Sequence, residues 1–319
     1  MRKITLVVIS MFYFAQQPCF CQDDFDDSFI AADINYNHFK TAVANVSLRR
    51  YSEDSALLKL FPGKFYKIKT DGEVYTLVTW KSHNYPSTKS LDAWATDSST
   101  FPYPAGNDTR ITATLNYKGD NGNDFLLLAT STVEMGSLIP VGRFNCAQLG
   151  IAIFEKTNST WILRAFNPAI VCAGSFSTAP TPELLSCDGH IFGCSINSTN
   201  GAAGGPYYGE MYVIGLQPEN LKVLLHYNLS QRIFDGKAEW RSNVQCIPSK
   251  IETPDLILQT KGLYLKYSFD VMEDDLAPIR TFLGDAVLKS DSFNFEIRNN
   301  YKFEKDRYRL VERKVIPDN

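Results

Sequence analysis

The stretch Phe65-Tyr66-Lys67-Ile68-Lys69-Thr70-Asp71-Gly72-Glu73-Val74-Tyr75-Thr76-Leu77-Val78-Thr79-Trp80 decides the fold class. Apolar and polar residues alternate on both sides of Asp71-Gly72, and a dipeptide of that kind supplies the positive φ angles that a tight, twisted hairpin turn requires. The arrangement recurs. Ile111 to Tyr117 and Phe125 to Ala129 flank Asn121-Gly122, Leu184-Leu185 and Ile191-Phe192 flank Asp188-Gly189, and Leu221 to Tyr227 and Ala238 to Trp240 bracket Asp235-Gly236. Any one of these dipeptides also fits an ordinary loop. Four of them between alternating segments predict an all-β chain of antiparallel hairpins from Lys64 to Val315, in a propeller-like or sandwich arrangement.

On the N-terminal side of this region the pattern changes. Ile34 to Phe61 carries the helical character of the chain, and Ser52-Glu53-Asp54-Ser55 precedes Ala56 to Phe61 as an N-cap precedes a short helix, with Pro62-Gly63 ending it. Short helices are therefore expected near the N-terminus and confined to that section. The start reads as an export signal: Met1-Arg2-Lys3, an apolar run from Ile4 to Ala15, then Gln16 to Cys21 before an acidic stretch from Asp23. That run is shorter than the roughly 20 residues a spanning helix needs, so no transmembrane anchor is expected. Acylation of Cys19 or Cys21 is the less favoured alternative, because Pro18 and Phe20 stand where lipidation signals carry small residues. The chain thus divides into 1–21, a signal peptide; 22–63, a segment with short helices; and 64–319, a β domain that is secreted or periplasmic.

Residues 1–21 hold two basic and no acidic residues, which leaves 30 basic against 35 acidic residues and a formal charge of −5. A surface without basic excess releases few counterions from a phosphate backbone, so nucleic acid is not an expected partner. Beyond residue 21 stand Cys146, Cys172, Cys187, Cys194 and Cys246, with no Cys-x-x-Cys pair, and in an oxidising compartment these favour disulfides over zinc. Five is odd, so two bridges leave one thiol. A hairpin that pairs Glu155 with Thr160 brings Cys146 within about three residues of Cys172, and a bulge at Asn167-Pro168 closes the offset, which makes Cys146 to Cys172 the preferred bridge. A tight turn at Asp188-Gly189 puts Cys187 across from His190 and disfavours a local bond to Cys194. Sequons occur at Asn45, Asn107, Asn158, Asn197 and Asn228.

A weak repeat links Phe154-Glu155-Lys156 with Trp161-Ile162-Leu163 to Phe303-Glu304-Lys305 with Tyr308-Arg309-Leu310; each reads as a strand, a charged turn and a returning strand led by an aromatic. Three further stretches, Cys146 to Lys156, Gly174-Ser175-Phe176-Ser177-Thr178-Ala179-Pro180, and the Gly-rich run before Tyr208-Gly209-Glu210, carry a family likeness. Over the middle third, the chain resembles a group of exported bacterial all-β proteins of unassigned function. The resemblance implies an exported, bacterial, all-β protein and transfers no activity.

Catalytic signatures are missing: there is no Gly-x-Ser-x-Gly elbow, His-Glu-x-x-His helix or Walker loop. Asp188 and His190 are spaced as a carboxylate and an imidazole, yet they flank a predicted turn, where polar residues belong anyway. The run Gly201 to Gly209 suits an anion cradle only if a helix follows, and Glu210 to Leu216 reads as a strand. Asp120, Asn123 and Asp124 place hard oxygen ligands on a glycine-containing loop, so calcium is the one cofactor considered, against a plain hairpin turn. Between His83 and Arg110 a long irregular stretch carries Tyr85, Trp94, Phe101 and Tyr103, aromatics that suit sugar rings or protein anchors, unless the loop is a lid whose rings pack onto the sheet. The expectation is an exported, extracytoplasmic binding or interaction protein whose partner is an envelope protein or polysaccharide. The alternative is a hydrolase of cell-envelope sugars or peptides, its acid and base drawn from carboxylates distant in sequence.

Overall fold

Capping chemistry shapes the first described section. In the computed structural model, which describes residues 31–70, 73–82, 88–89, 100–137, 146–201, 207–218, 221–233, 239–249, 253–265, 279–285 and 290–318, strand β1 (Ala32–Asp33) leads into helix α1 (Tyr36–Asn45), strand β2 (Ser47–Leu48) and helix α2 (Glu53–Leu60). The Ser52 hydroxyl accepts the Ser55 N–H at the start of α2, and Glu53 and Asp54 occupy the first turn, where the helix dipole favours negative charge. Asn35 caps α1 in the same way, accepting the N–H of Asn37.

The hairpins follow. Strands β3 (Lys64–Thr70) and β4 (Glu73–Lys81) pair around Asp71-Gly72. After the short pair β5 (Thr88–Lys89) and β6 (Thr100–Phe101) come β7 (Asn107–Lys118), β8 (Asp124–Glu134), β9 (Ala147–Thr157) and β10 (Thr160–Ala173). The remaining strands are β11 (Glu183–Cys187), β12 (His190–Gly201), β13 (Tyr207–Gly215), β14 (Val223–Ile233), β15 (Glu239–Ile247), β16 (Asp255–Leu265), β17 (Ser292–Glu304) and β18 (Arg307–Asp318). The strands flanking all four dipeptides pair antiparallel, with Asp71-Gly72 and Asp235-Gly236 themselves outside the described residues. At Asp188-Gly189 both φ angles are positive, 49° and 85°, so the turn has the twist that flanking strands demand. Asn121-Gly122 sits instead in a longer connection, because the ladder closes at Lys118 opposite Asp124. The two hairpins of the weak repeat turn on Asn158 (φ 57°) and Lys305 (φ 61°), and they lie in different sheets.

Two eight-stranded sheets result. The first runs β1-β4-β7-β8-β9-β10-β2 with β3 on the outer edge of β4; the second is a meander in which β11 to β18 pair in chain order. A meander of eight neighbours is not divided into the four-stranded blades of a propeller, so the stacked-sheet half of the expectation describes the molecule. Side chains alternate between faces along each strand. On β8, Leu126 and Leu128 turn toward Phe39, Leu57 and Phe61 of the helical section, while Leu127 and Ala129 turn toward Ile196, Tyr212 and Ile214 of the second sheet. The order of layers is helices, first sheet, second sheet. The second sheet curls so that β14 approaches β18 and β11 approaches β15, and its inner face closes on Met211, Leu258, Phe295 and Ile297.

Two expectations change. Helix is not confined to the N-terminal section: a helical turn at 279–283 puts Ile279 and Leu283, four residues apart on one face, into the core of the second sheet. Among the described residues before 64, β1 and β2 add to the first sheet and both helices cover it. The Cys146–Cys172 bridge forms, but its register differs. Ile162 rather than Thr160 faces Glu155, and the ladder slips between Leu163 and Ala165 and again between Asn167 and Val171, which sets Cys172 opposite Gln148. Cys187 faces His190 and bonds Cys246, fastening β11 to β15; Cys194 remains a buried free thiol. Such bridges persist in oxidising compartments. Among the described residues no helix is long and apolar enough to cross a membrane.

Candidate functional site

A β-bulge opens the first sheet. β4 pairs with β7 at three positions, Val78 with Thr109, Thr79 with Asp108 and Trp80 with Asn107. Beyond Thr109 the register of β7 against β8 shifts between Ile111 and Ala113, leaving Thr112 as the extra residue. A bulge bends its strand and sharpens its twist, so β7 leaves β4 and the β3–β4 ribbon splays away from it. Between the two lips lies a cleft of about 370 Å³, within the range of ligand sites.

Each wall has a cause. On the helix side the first turn of α2 spans the split: Glu53 Oε1 accepts the Thr114 hydroxyl of β7 at 2.9 Å, and Asp54 pairs with Lys67 of β3 at 3.3 Å. The Tyr51 hydroxyl also reaches Thr114, at 3.2 Å, and burial pushes its pKa up. On the opposite face Arg110 Nη2 donates to the Thr178 hydroxyl at 2.5 Å. Thr178 is held there by a tight turn in which Gly174, Phe176 and Ser177 all have positive φ, conformations that cost an aromatic residue energy and that concentrate at functional sites. A Cβ on Gly174 would lie 2.0 Å from the Thr178 carbonyl oxygen, which is why glycine stands there. The Ala179 N–H donates to the buried Ser131 hydroxyl and anchors the far end of the turn. Val74, 62% exposed, lines the β4 lip.

The residues singled out by sequence are scattered. Tyr85 and Trp94 lie outside the described residues, as do residues 1–21, read from sequence as an export signal. Phe101 is a core residue, fully buried with its ring edge-on to Trp80 at 5.9 Å, so it presents no face to a ligand. Tyr103 is half-buried, and its N–H donates to Asn107. The oxygens of the 120–124 loop diverge. Asp120 Oδ1 contacts His190 Nδ1 at 2.7 Å, Asp124 pairs with Lys118 at 2.5 Å, and Asn123 turns its amide to Glu155, also at 2.5 Å. That loop is a hydrogen-bonded turn on the Glu155 carboxylate, and among the described residues no group of three acidic, His or Cys side chains gathers as a metal site. His190 is matched with Asp120 of the other sheet rather than with Asp188, a turn residue. Gly201 and Tyr207 pair across the Gly-rich run as a hairpin. Of the sequons, Asn107 is fully buried and holds the Trp80 carbonyl, whereas Asn45, Asn158, Asn197 and Asn228 are exposed.

Sequence reasoning passed over Arg110, Thr112 and Thr178. Nothing local marks them, because the cleft depends on a bulge and on a contact between residues 68 positions apart. No family model matches the chain, and neither a curated protein nor a solved structure matches it.

Proposed function

We propose that this is an extracytoplasmic binding protein that holds its ligand in the cleft between β4 and β7. The observation that carries the reading is the split itself: a strand that leaves its neighbour after three pairs, with a helix turn and a strained loop walling the gap. Two bridges of the kind found outside the cytoplasm, and the basic-then-apolar N-terminus, support the compartment.

Binding is favoured over hydrolysis by where the reactive groups point. The cleft hydroxyls of Thr112 and Thr178 meet the Ala129 carbonyl and the Arg110 guanidinium rather than a base. The carboxylates of Glu53 and Asp54 are engaged with Thr114 and Lys67. His38, His190 and His226 contact Leu60, Asp120 and Glu210, away from the cleft lining.

Affinity capture from an extracytoplasmic fraction, with wild type and Val74→Arg side by side, tests the reading. Val74 is exposed, so the substitution leaves folding within about 0.5 kcal/mol while filling the cleft with a long charged chain. Loss of the captured species in the variant is expected. Equal capture would place the site elsewhere, and product formation from envelope polysaccharides or peptides would favour a hydrolase.

A further inference from the structure

The open lips of the cleft are strand edges, and a strand edge has its own chemistry. Along an antiparallel strand each residue directs its N–H and C=O to one side, alternating from residue to residue. From Arg110 to Lys118, β7 pairs with β8 on one side and, among the described residues, with no strand on the other. Every second residue of that stretch therefore turns its backbone polar groups to the side away from β8, and its first residues, Arg110, Ile111 and Thr112, line the cleft. β4 is in the same position from Glu73 to Leu77, where its partner is β3 alone.

The outermost strands β3 and β18, and the edge strand β11, are blunted against pairing. β3 carries Lys64, Lys67 and Lys69; β18 carries Arg307, Arg309, Arg313, Lys314 and Pro317, and a register shift bulges it at Val311; β11 is five residues long. Charge, proline, bulging and shortness are the devices that keep an edge from recruiting a strand. The β7 edge lacks charge. Between Arg110 and Lys118 it reads Ile-Thr-Ala-Thr-Leu-Asn-Tyr, a β-prone uncharged run.

Resting on the cleft as the binding site, we infer that its ligand is an extended segment of a partner polypeptide, added as a strand to the β7 edge. Main-chain hydrogen bonds supply affinity in this mode, and alternate side chains supply specificity. The walls define those side chains. Residues of the segment directed toward α2 meet Glu53, Asp54, Leu57 and Ile111, which fits a cation beside an aliphatic group; residues directed the other way meet Arg110 and Thr178, which fits a carboxylate or hydroxyl. A strand of about five to six residues suits the length of the edge. No aromatic side chain is among the described residues lining the cleft, so those residues offer no flat platform on which sugar rings stack.

The test uses the exported chain with its disulfides intact, a phage-displayed library of random linear peptides, and a glycan array. The tightest selected peptide is synthesised in its parent form and in two forms N-methylated at alternating positions. Strand addition is expected to weaken at least one N-methylated form by about tenfold or more, to slow amide exchange across Ile111 to Tyr117 when the parent binds, and to be weakened about tenfold by Val74→Arg. If both N-methylated forms bind like the parent while Val74→Arg still weakens binding, the cleft reading stands and strand addition is overturned. Val74-dependent binding of glycans, with no peptide bound, likewise overturns strand addition and leaves the cleft standing. If no probe binds, or if Val74→Arg binds every probe as wild type does, both the cleft and the added strand are overturned.

Discussion

Glu53 and Thr114, sixty-one residues apart, meet at 2.9 Å where the first turn of α2 fastens onto the strand that leaves its sheet. The neighbouring Asp54 reaches the other lip through Lys67, so one helix turn spans the cleft. Both contacts are at least partly solvated, and each is worth little alone. A double-mutant cycle with Glu53→Ala and Thr114→Val is expected to give a coupling of about 0.5–1 kcal/mol by urea unfolding, with an unchanged m-value. No coupling would mean that the helix is held over the cleft by its buried face alone.

Gly174 sets the opposite wall. With φ at 89° and the Thr178 carbonyl in the way, Gly174→Ala is expected to destabilise the fold by more than about 1 kcal/mol and to weaken ligand capture through displacement of Thr178. Thermal unfolding and capture measured on one preparation check this. A variant as stable as wild type would show that the turn relaxes freely.

Phe101 packs against Trp80 beneath the helices, so Phe101→Ala is expected to cost about 3–5 kcal/mol. Denaturant unfolding reads the loss directly. A change below about 1 kcal/mol would return this residue to the surface-loop reading.

The bridges enclose separations of 26 and 59 residues, and removal of either by paired Cys→Ser substitution is expected to cost about 2–4 kcal/mol. Non-reducing peptide mapping should link Cys146 to Cys172 and Cys187 to Cys246. Burial pushes the Cys194 thiol up to about 12, so it is expected to resist alkylation in the folded protein and to react once the chain is unfolded. Labelling of Cys194 under native conditions would contradict that packing.

Two buried carboxylates pull the pH dependence in opposite directions. The hydrogen bond from Asn123, then those from Arg164 and Asn121, hold Glu155 below its ordinary value of 4.5 against the effect of burial. Its contribution is complete above pH 4.5 and is lost as pH falls through the lower folded value. Burial raises Asp108 above 3.8, despite bonds from Thr79 and Gly136, so ionising it weakens the fold as pH rises through the folded value. Glu155→Gln is expected to lower stability at neutral pH and to flatten the acid limb of the stability profile, whereas Asp108→Asn is expected to remove the fall on the other side. Urea midpoints across pH 3 to 7 distinguish the two, and unchanged slopes would contradict both assignments.

What the residues determined by themselves was local. The Asp-Gly and Asn-Gly dipeptides, the alternation around them and the Ser52 cap act through the φ and ψ of a few neighbouring residues, so the hairpins and α2 were legible before any contact was known. The Cys146–Cys172 pair was legible for the same reason, since one hairpin and a bulge bring those positions together, although the register along the way was not. The tertiary structure decided the rest. Whether β7 stays with β4 depends on the bulge at Thr112, which no dipeptide announces. That Phe101 faces Trp80 rather than solvent depends on which side of the loop meets the helices. Which backbone edge is left open, and which walls enclose it, follows from contacts between distant residues such as Arg110 and Thr178. Such contacts arise when apolar faces from three layers are buried together, and alternation within one strand marks a face without naming what will cover it.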